Sequence, residues 1–170
     1  MALKIACFIH MFLNGILAGI GVGIAATETA NFKLDGTMHT TVERHKHAVV
    51  TPLTLALFFP CVIARSFVAW RERGVNKDVT ALTISSIVTI TITFVLSILI
   101  NTPINRAQQH EWDPQNPPKN WVQMRDRWTK SHVVRSIFAV VSLACNVLAW
   151  QQSGSERGKG LRARLADIRS

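Results

Sequence analysis

Charge is nearly missing from four stretches of this sequence, and that shortage is more informative than the average composition. The stretches are 5–26, 49–70, 80–100 and 133–150. Across all 170 residues, 48% are hydrophobic and 17% charged, totals that a soluble protein could share. The distribution excludes one. A helix needs about 20 mostly apolar residues to cross a hydrocarbon core of ~30 Å. The first three stretches reach that length. The fourth is shorter and holds Arg135, so its flanking turn at 129–132 is expected in the interface, where long side chains snorkel.

Other absences narrow the chemistry. There is no GxGxxG, so nothing marks a dinucleotide or flavin fold, and no organic cofactor is evident. There is no HExxH or Glu-x-x-His either. His39, His45 and His47, with His132, could offer imidazoles to zinc, copper or iron, so a metal stays open, but no spacing supports it. The cysteines number three, Cys7, Cys61 and Cys145. Each lies in an apolar stretch and reads as a reduced packing residue. Tyrosine is absent; Trp70 and Trp150 are expected at one membrane interface, and Trp112, Trp121 and Trp128 at the other. Stretch 80–100 lacks charge, Gly and Pro, yet alternates at 88–94 as a β-strand does. Backbone groups in lipid must be satisfied within the segment, so we read it as helix. Lys4 and the small pair Ala25-Ala26 resemble a signal peptide, but the first stretch is expected to be retained.

Four spans put both termini on one side, together with the turn at 71–79. The expected fold is all-α: a four-transmembrane-helix bundle over 1–150, with helices at about 5–26, 49–70, 80–100 and 121–150. A basic tail follows at 151–170. Two long loops, 27–50 and 101–130, lie opposite the termini. Pro103, Pro114, Pro117 and Pro118 stiffen the second. One side carries Lys4, Arg71, Arg73, Lys77 and the tail's Arg157, Lys159, Arg162, Arg164 and Arg169. The other carries Lys33, Arg44, Lys46 and six more cations from Arg106 to Arg135. That is a tie, and the short turn and tail favour cytoplasmic termini. The net charge of +9 suits a lipid surface better than nucleic acid. Leu161, Leu165 and Ile168 make the tail weakly amphipathic, fit to lie on lipid or to stay disordered.

Polarity inside the spans follows helical spacing. On the fourth helix the series Trp121, Arg125, Trp128, His132, Arg135, Ala139, Ser142, Asn146 advances in steps of four and three, forming one face. His10, Asn14, Gly21, Ala25 and Glu28 answer it on the first helix. His47, Thr51, Thr54, Phe58, Cys61 and Arg65 do so on the second, and Ser86, Thr93, Ser97, Asn101, Asn105 and Gln108 on the third. Ser and Thr on such faces can simply glue helices together. Ionisable groups are costlier and tend to mark sites or ion pairs. Glu28, His47, Asn101, Asn105, Arg125, His132 and Arg135 all fall at the loop end, which predicts a polar pocket there. A Glu28–Arg125 or Glu28–Arg135 ion pair is the alternative. His10 lies deep near the other end and reads as a hydrogen-bonded core residue. Gly15, Gly19, Gly21 and Gly23 suggest a close-packing face.

Asn101-Thr-Pro103-Ile-Asn105-Arg106, then Trp112-Asp113-Pro114, Trp121 and Arg125-x-x-Trp128-x-x-x-His132-x-x-Arg135 resemble the anthrone oxygenase-like family of small four-helix membrane proteins. The likeness covers about 95–150 in detail and the first half in layout. It implies oxidation of a flat phenolic, polyketide-type substrate by O₂, without an organic cofactor. An anthrone methylene is acidic because its carbanion is an extended phenolate. His132 is cast as base, Arg125 and Arg135 as oxyanion holders, and Asn101 and Asn105 as orienting groups. Trp121 and Trp128 would stack on the ring; Trp112, Glu28 and His47 complete the expected substrate site. His10, Asn14, Asn146 and the basic tail lie outside the matched motif.

Two other readings stand beside the oxygenase. One is an accessory or scaffold subunit of a larger membrane complex, its Trp/Arg/His face bound to a partner. The other is a transporter, disfavoured because no inverted repeat or broken helix pair is present. Expected partners are the bilayer, an aromatic small molecule, and either a second copy or a larger complex.

Overall fold

The computed structural model describes residues 2–73 and 76–167, with side chains left out for 156–166. Its elements are α1 (Ala2–Asn31), α2 (Gly36–Glu72), α3 (Lys77–Leu96), a π-helical turn (Ser97–Asn101), α4 (Thr102–His110) and α5 (Trp121–Asp167). The third rod runs through the π turn without a break, from Lys77 to His110. Four segments are long and apolar enough to cross a membrane: Ala2–Asn31, Gly36–Glu72, Lys77–His110 and Trp121–Ser155. They form an all-α four-helix bundle and define an integral membrane protein. Residues 88–94 are helical, as the bilayer argument requires.

The apolar side chains face outward. Phe8, Ile63, Leu99 and Ile137 are each more than half exposed, a surface that suits lipid tails rather than water. The interior is polar by comparison: His10, Asn14, Glu28, His47, Arg65, Ser86, Asn101, His132, Ser142 and Asn146 are all buried. The inward faces read from spacing therefore meet on the bundle axis.

Three expectations about the ends change. First, most of 27–50 and 101–130 is helical, not loop. Asp35 caps α2, its carboxylate accepting from the Met38 amide at 2.8 Å. The real connections are 32–35 and 111–120. Polar residues from 36 onward continue the helix above the apolar stretch. Second, Trp112 and Trp128 are buried and Trp121 half-buried, so they roof the bundle rather than line an exposed belt. Trp70 and Trp150 are exposed. Third, Gly15, Gly19 and Gly23 meet nothing within 4 Å; the seam glycine is Gly21, where a Cβ would come within 3.1 Å of Ser136 Oγ on α5. α5 itself stays helical through the tail to Asp167. The tail's Arg157, Lys159, Arg162, Arg164, Leu161 and Leu165 side chains, and Ile168 and Arg169 altogether, lie outside the described residues.

Candidate functional site

Under the roof lies a cavity of about 350 Å³ bounded by all four rods, within the range of small-molecule pockets. Its floor and sides are apolar, including Leu17, Ile20, Ile24, Phe58, Ile90 and Phe94. Its loop-side end is polar, formed by Lys46, His47, Ser97, Asn101, Asn105, Trp128, His132 and Arg135.

One helical turn of α5 builds the core of that end. His132 stacks on Trp128 with ring centroids 4.8 Å apart and planes 4° from parallel. Arg135, one turn on, reaches back so that Nη2 donates to His132 Nδ1 at 2.8 Å, while Nη1 donates to Ser97 Oγ at 2.6 Å. The other nitrogen of His132, Nε2, donates to the Gly21 carbonyl at 3.1 Å. A carbonyl only accepts, so the proton sits on Nε2 and the Nδ1 lone pair is taken by arginine. Arg135 Nε keeps one buried donor without a protein partner. Trp128 Nε1 donates to Asn105 Oδ1 at 2.6 Å. Asn101 spends its amide on α5, donating to the Trp128 carbonyl at 3.2 Å and accepting from Ser131 Oγ at 2.8 Å.

A second group closes the end from α1 and α2. The Lys46 ammonium bridges Glu28 and Glu43; its bond to Glu43 is 2.6 Å. It also lies 4.9 Å from the Trp128 ring centre, a cation–π distance. Asn31 Nδ2 adds bonds to both carboxylates, at 3.1 and 3.3 Å. His47 Nε2 approaches Glu43 Oε2 to 3.2 Å, an ion-pair distance rather than an aligned hydrogen bond. Glu43, Lys46 and His47 sit at i, i+3 and i+4, so one turn of α2 presents all three together.

Of the ten residues named from sequence, six line the cavity: His47, Asn101, Asn105, Trp128, His132 and Arg135. Four do not. Arg125 turns to the roof, where Nη2 meets Asp126 at 2.9 Å and its guanidinium lies over Phe32 and Trp121. Trp121 packs on His39, 5.5 Å between centroids, and against Gly36, where a Cβ would come within 3.0 Å of Nε1. Trp112 is buried, and its carbonyl accepts from Arg44 at 2.6 Å. Glu28 is bound to Lys46, not to Arg125 or Arg135, because α2 extends upward and places an ammonium beside it.

Lys46 and Glu43 were missed by sequence reasoning, and Ser97 was placed on the third helix's inward face but not in the site. For the first two the available signal was the i, i+3, i+4 spacing, hidden by treating 27–50 as a loop. His39 is buried beside them with no partner on either ring nitrogen; nothing in the structure explains it. Among the described residues no group of three or more His, Cys, Asp or Glu could hold a metal ion.

A second polar cluster fills the terminus-side half. His10 Nδ1 donates to the Ala6 carbonyl at 3.1 Å, and its Nε2 accepts from Arg65 Nη1 at 3.2 Å. Asn14 Nδ2 donates to Ser142 Oγ at 3.2 Å, Ser142 to the Ser86 carbonyl at 3.0 Å, and Ser86 to Asn146 Oδ1 at 2.6 Å. Leu17, Ala18, Ile90 and Ala139, all buried, separate this cluster from the chamber.

Fold and site together define a small membrane bundle with a chamber that is apolar along its length and polar at one end. The chain belongs to the anthrone oxygenase family, whose model matches residues 38–145. The match takes in α2 with Glu43, Lys46 and His47, well before the motif at 101–135, and leaves out α1. No curated protein and no solved structure matches the chain.

Proposed function

We propose that this protein is a membrane-embedded oxygenase that oxidises the methylene of a flat phenolic, anthrone-type substrate with O₂. The observation that carries the reading is the Trp128–His132–Arg135 array at the polar end of an apolar chamber. An anthrone offers an apolar body to Phe58 and Phe94 and a carbonyl to the cations. Deprotonation makes that carbonyl oxygen anionic. Lys46 and Arg135, which both line the chamber's polar end, are the groups to hold it, in a setting where fixed donors contribute most.

Two imidazoles face the chamber, and their surroundings divide the roles. The Nδ1 lone pair of His132 is occupied by Arg135, which suits that ring to positioning the guanidinium rather than to taking a proton. His47 is backed by Glu43, which orients the ring and balances the charge it gains as base. The carbanion carbon then bonds to O₂, and the electron pair passes to oxygen. Protonation gives a hydroperoxide. Loss of the second C–H proton with O–O cleavage leaves the ketone and one water.

Turnover of an anthrone in proteoliposomes tests this. His47→Ala should lower it by about 10²–10⁴-fold, the usual range for a general base, and His132→Ala by less. Normal turnover in His47→Ala with loss in His132→Ala would reverse the assignment. Inert wild-type protein, reconstituted and folded, would remove the oxygenase reading.

A further inference from the structure

The chamber is sealed on three sides of the bundle and open on the fourth. Between the third rod and α5, Asn101 bonds to the Trp128 carbonyl and Thr93 Oγ1 to the Arg135 carbonyl at 3.3 Å. Gly21 lies against Ser136 where α1 meets α5, and Lys46–Glu28 ties α2 to α1. Among the described residues no comparable polar tie joins α2 to the third rod along the chamber.

The cavity-lining residues that are also exposed are Thr51 and Leu55 on α2 and Ile98 and Thr102 on the third rod. They flank the same gap. Its upper edge is fixed by Arg44, which donates to the Gln108 and Trp112 carbonyls at 3.3 and 2.6 Å. Its lower edge is the Phe58–Phe94 stack, with centroids 4.5 Å apart and planes 10° from parallel. The π turn, a wider turn often found at functional sites, forms the margin at Ile98.

The gap faces lipid. Val49 and Leu53 beside it on α2, and Leu99 on the third rod, are strongly exposed apolar residues. At 1.5 Å per residue, Thr51 stands about 28 Å from the interfacial Trp70, near the loop-side edge of the hydrocarbon. Planar phenols collect at that depth, with rings in the tails and hydroxyls towards the headgroups, as amphipathic rings do.

We propose that this gap is a lateral window through which a planar, bilayer-dissolved phenol passes between α2 and the third rod into the chamber. The inference rests on the chamber being a binding site for such molecules, as the oxygenase reading requires, but not on the chemistry performed there.

A stable probe tests it: 1,8-dihydroxyanthraquinone loaded in phosphatidylcholine proteoliposomes, its binding to the full chain followed by quenching of tryptophan emission in stopped flow. Thr51→Phe with Thr102→Phe narrows the window. Association and dissociation should both slow by at least about tenfold; slower release marks an obstructed route, because bulk that only crowded the site would speed release. Leu53→Phe with Leu99→Phe adds the same bulk to lipid-facing positions and should leave both rates unchanged. Phe58→Ala removes the lower edge and should speed association. Unchanged rates in the Thr51/Thr102 variant, or a probe that does not bind wild-type protein, would overturn the window. Window-dependent binding with no anthrone turnover would leave it standing and overturn the oxygenase reading instead.

Discussion

Each half of the bundle holds a histidine clamped between a backbone carbonyl and an arginine. Near the termini, His10 lies between Ala6 and Arg65; near the roof, His132 lies between Gly21 and Arg135. Each ring gives one nitrogen to a carbonyl and the other to a guanidinium, with the two nitrogens exchanged: His10 meets arginine through Nε2 and His132 through Nδ1. What differs further is the space beside them. Around His10 the helices close on one another through Asn14, Ser86, Ser142 and Asn146. Around His132 they part to leave about 350 Å³. Buried polarity in a membrane bundle is thus not a signature of function by itself. It becomes one where a ligand-sized void adjoins it; a left-over donor does not decide the matter, since Arg65 Nε and Nη2 lack partners too.

The comparison is easiest to break with matched arginine substitutions. Arg135→Met should cut anthrone turnover by about 10²–10³-fold, the loss typical of one oxyanion donor. Arg65→Met should change turnover per folded molecule by less than about threefold, because Arg65 does not line the chamber. Equal losses would mean the lower pair is not merely structural. Next in size, Lys46→Met leaves Glu28 and Glu43 buried without their shared cation. It should cost roughly 3–5 kcal/mol of stability, read as a lower thermal midpoint in detergent. Ser142→Ala in the lower cluster should cost only about 0.6 kcal/mol, the average for an interhelical side-chain hydrogen bond in a membrane. Of similar size but opposite sign, Gly19→Ala, where a Cβ meets nothing within 4 Å, should gain about 0.4–1 kcal/mol by restricting the unfolded chain.

Much of the fold was legible because lipid imposes simple rules. Length and missing charge located four spans, and steps of three and four picked out the faces that meet on the axis. The extensions 36–48 and 102–110 were not legible by the same rule. They are polar helices outside the apolar stretches, and counting hydrophobic residues does not see them. Misjudging α2 had a chemical consequence: Glu43 and Lys46 looked like scattered loop charges, and Glu28 was offered arginines on α5 instead of the lysine beside it. Arg125 shows the converse limit. It shares a helical face with His132, yet the rod extends past the chamber, and its side chain meets Asp126 and Phe32 above the roof. Spacing gives direction around a helix; it does not give the height at which a void opens. The void itself leaves no mark on spacing at all.

The π turn at Ser97–Asn101 had a faint trace in the sequence. Thr93, Ser97, Asn101 and Asn105 advance by four each time, with no compensating three, although regular helix turns about 100° per residue. One widened turn absorbs that drift. The third rod is therefore a single shaft with two compass bearings, one aiming Ser86 at the packed half and one aiming Asn101 and Asn105 at Trp128. Excising a single residue from the turn would restore regular winding and swing every side chain above it away together. The aim of the upper shaft is held by the number of residues in that turn, a quantity that no side-chain substitution alters.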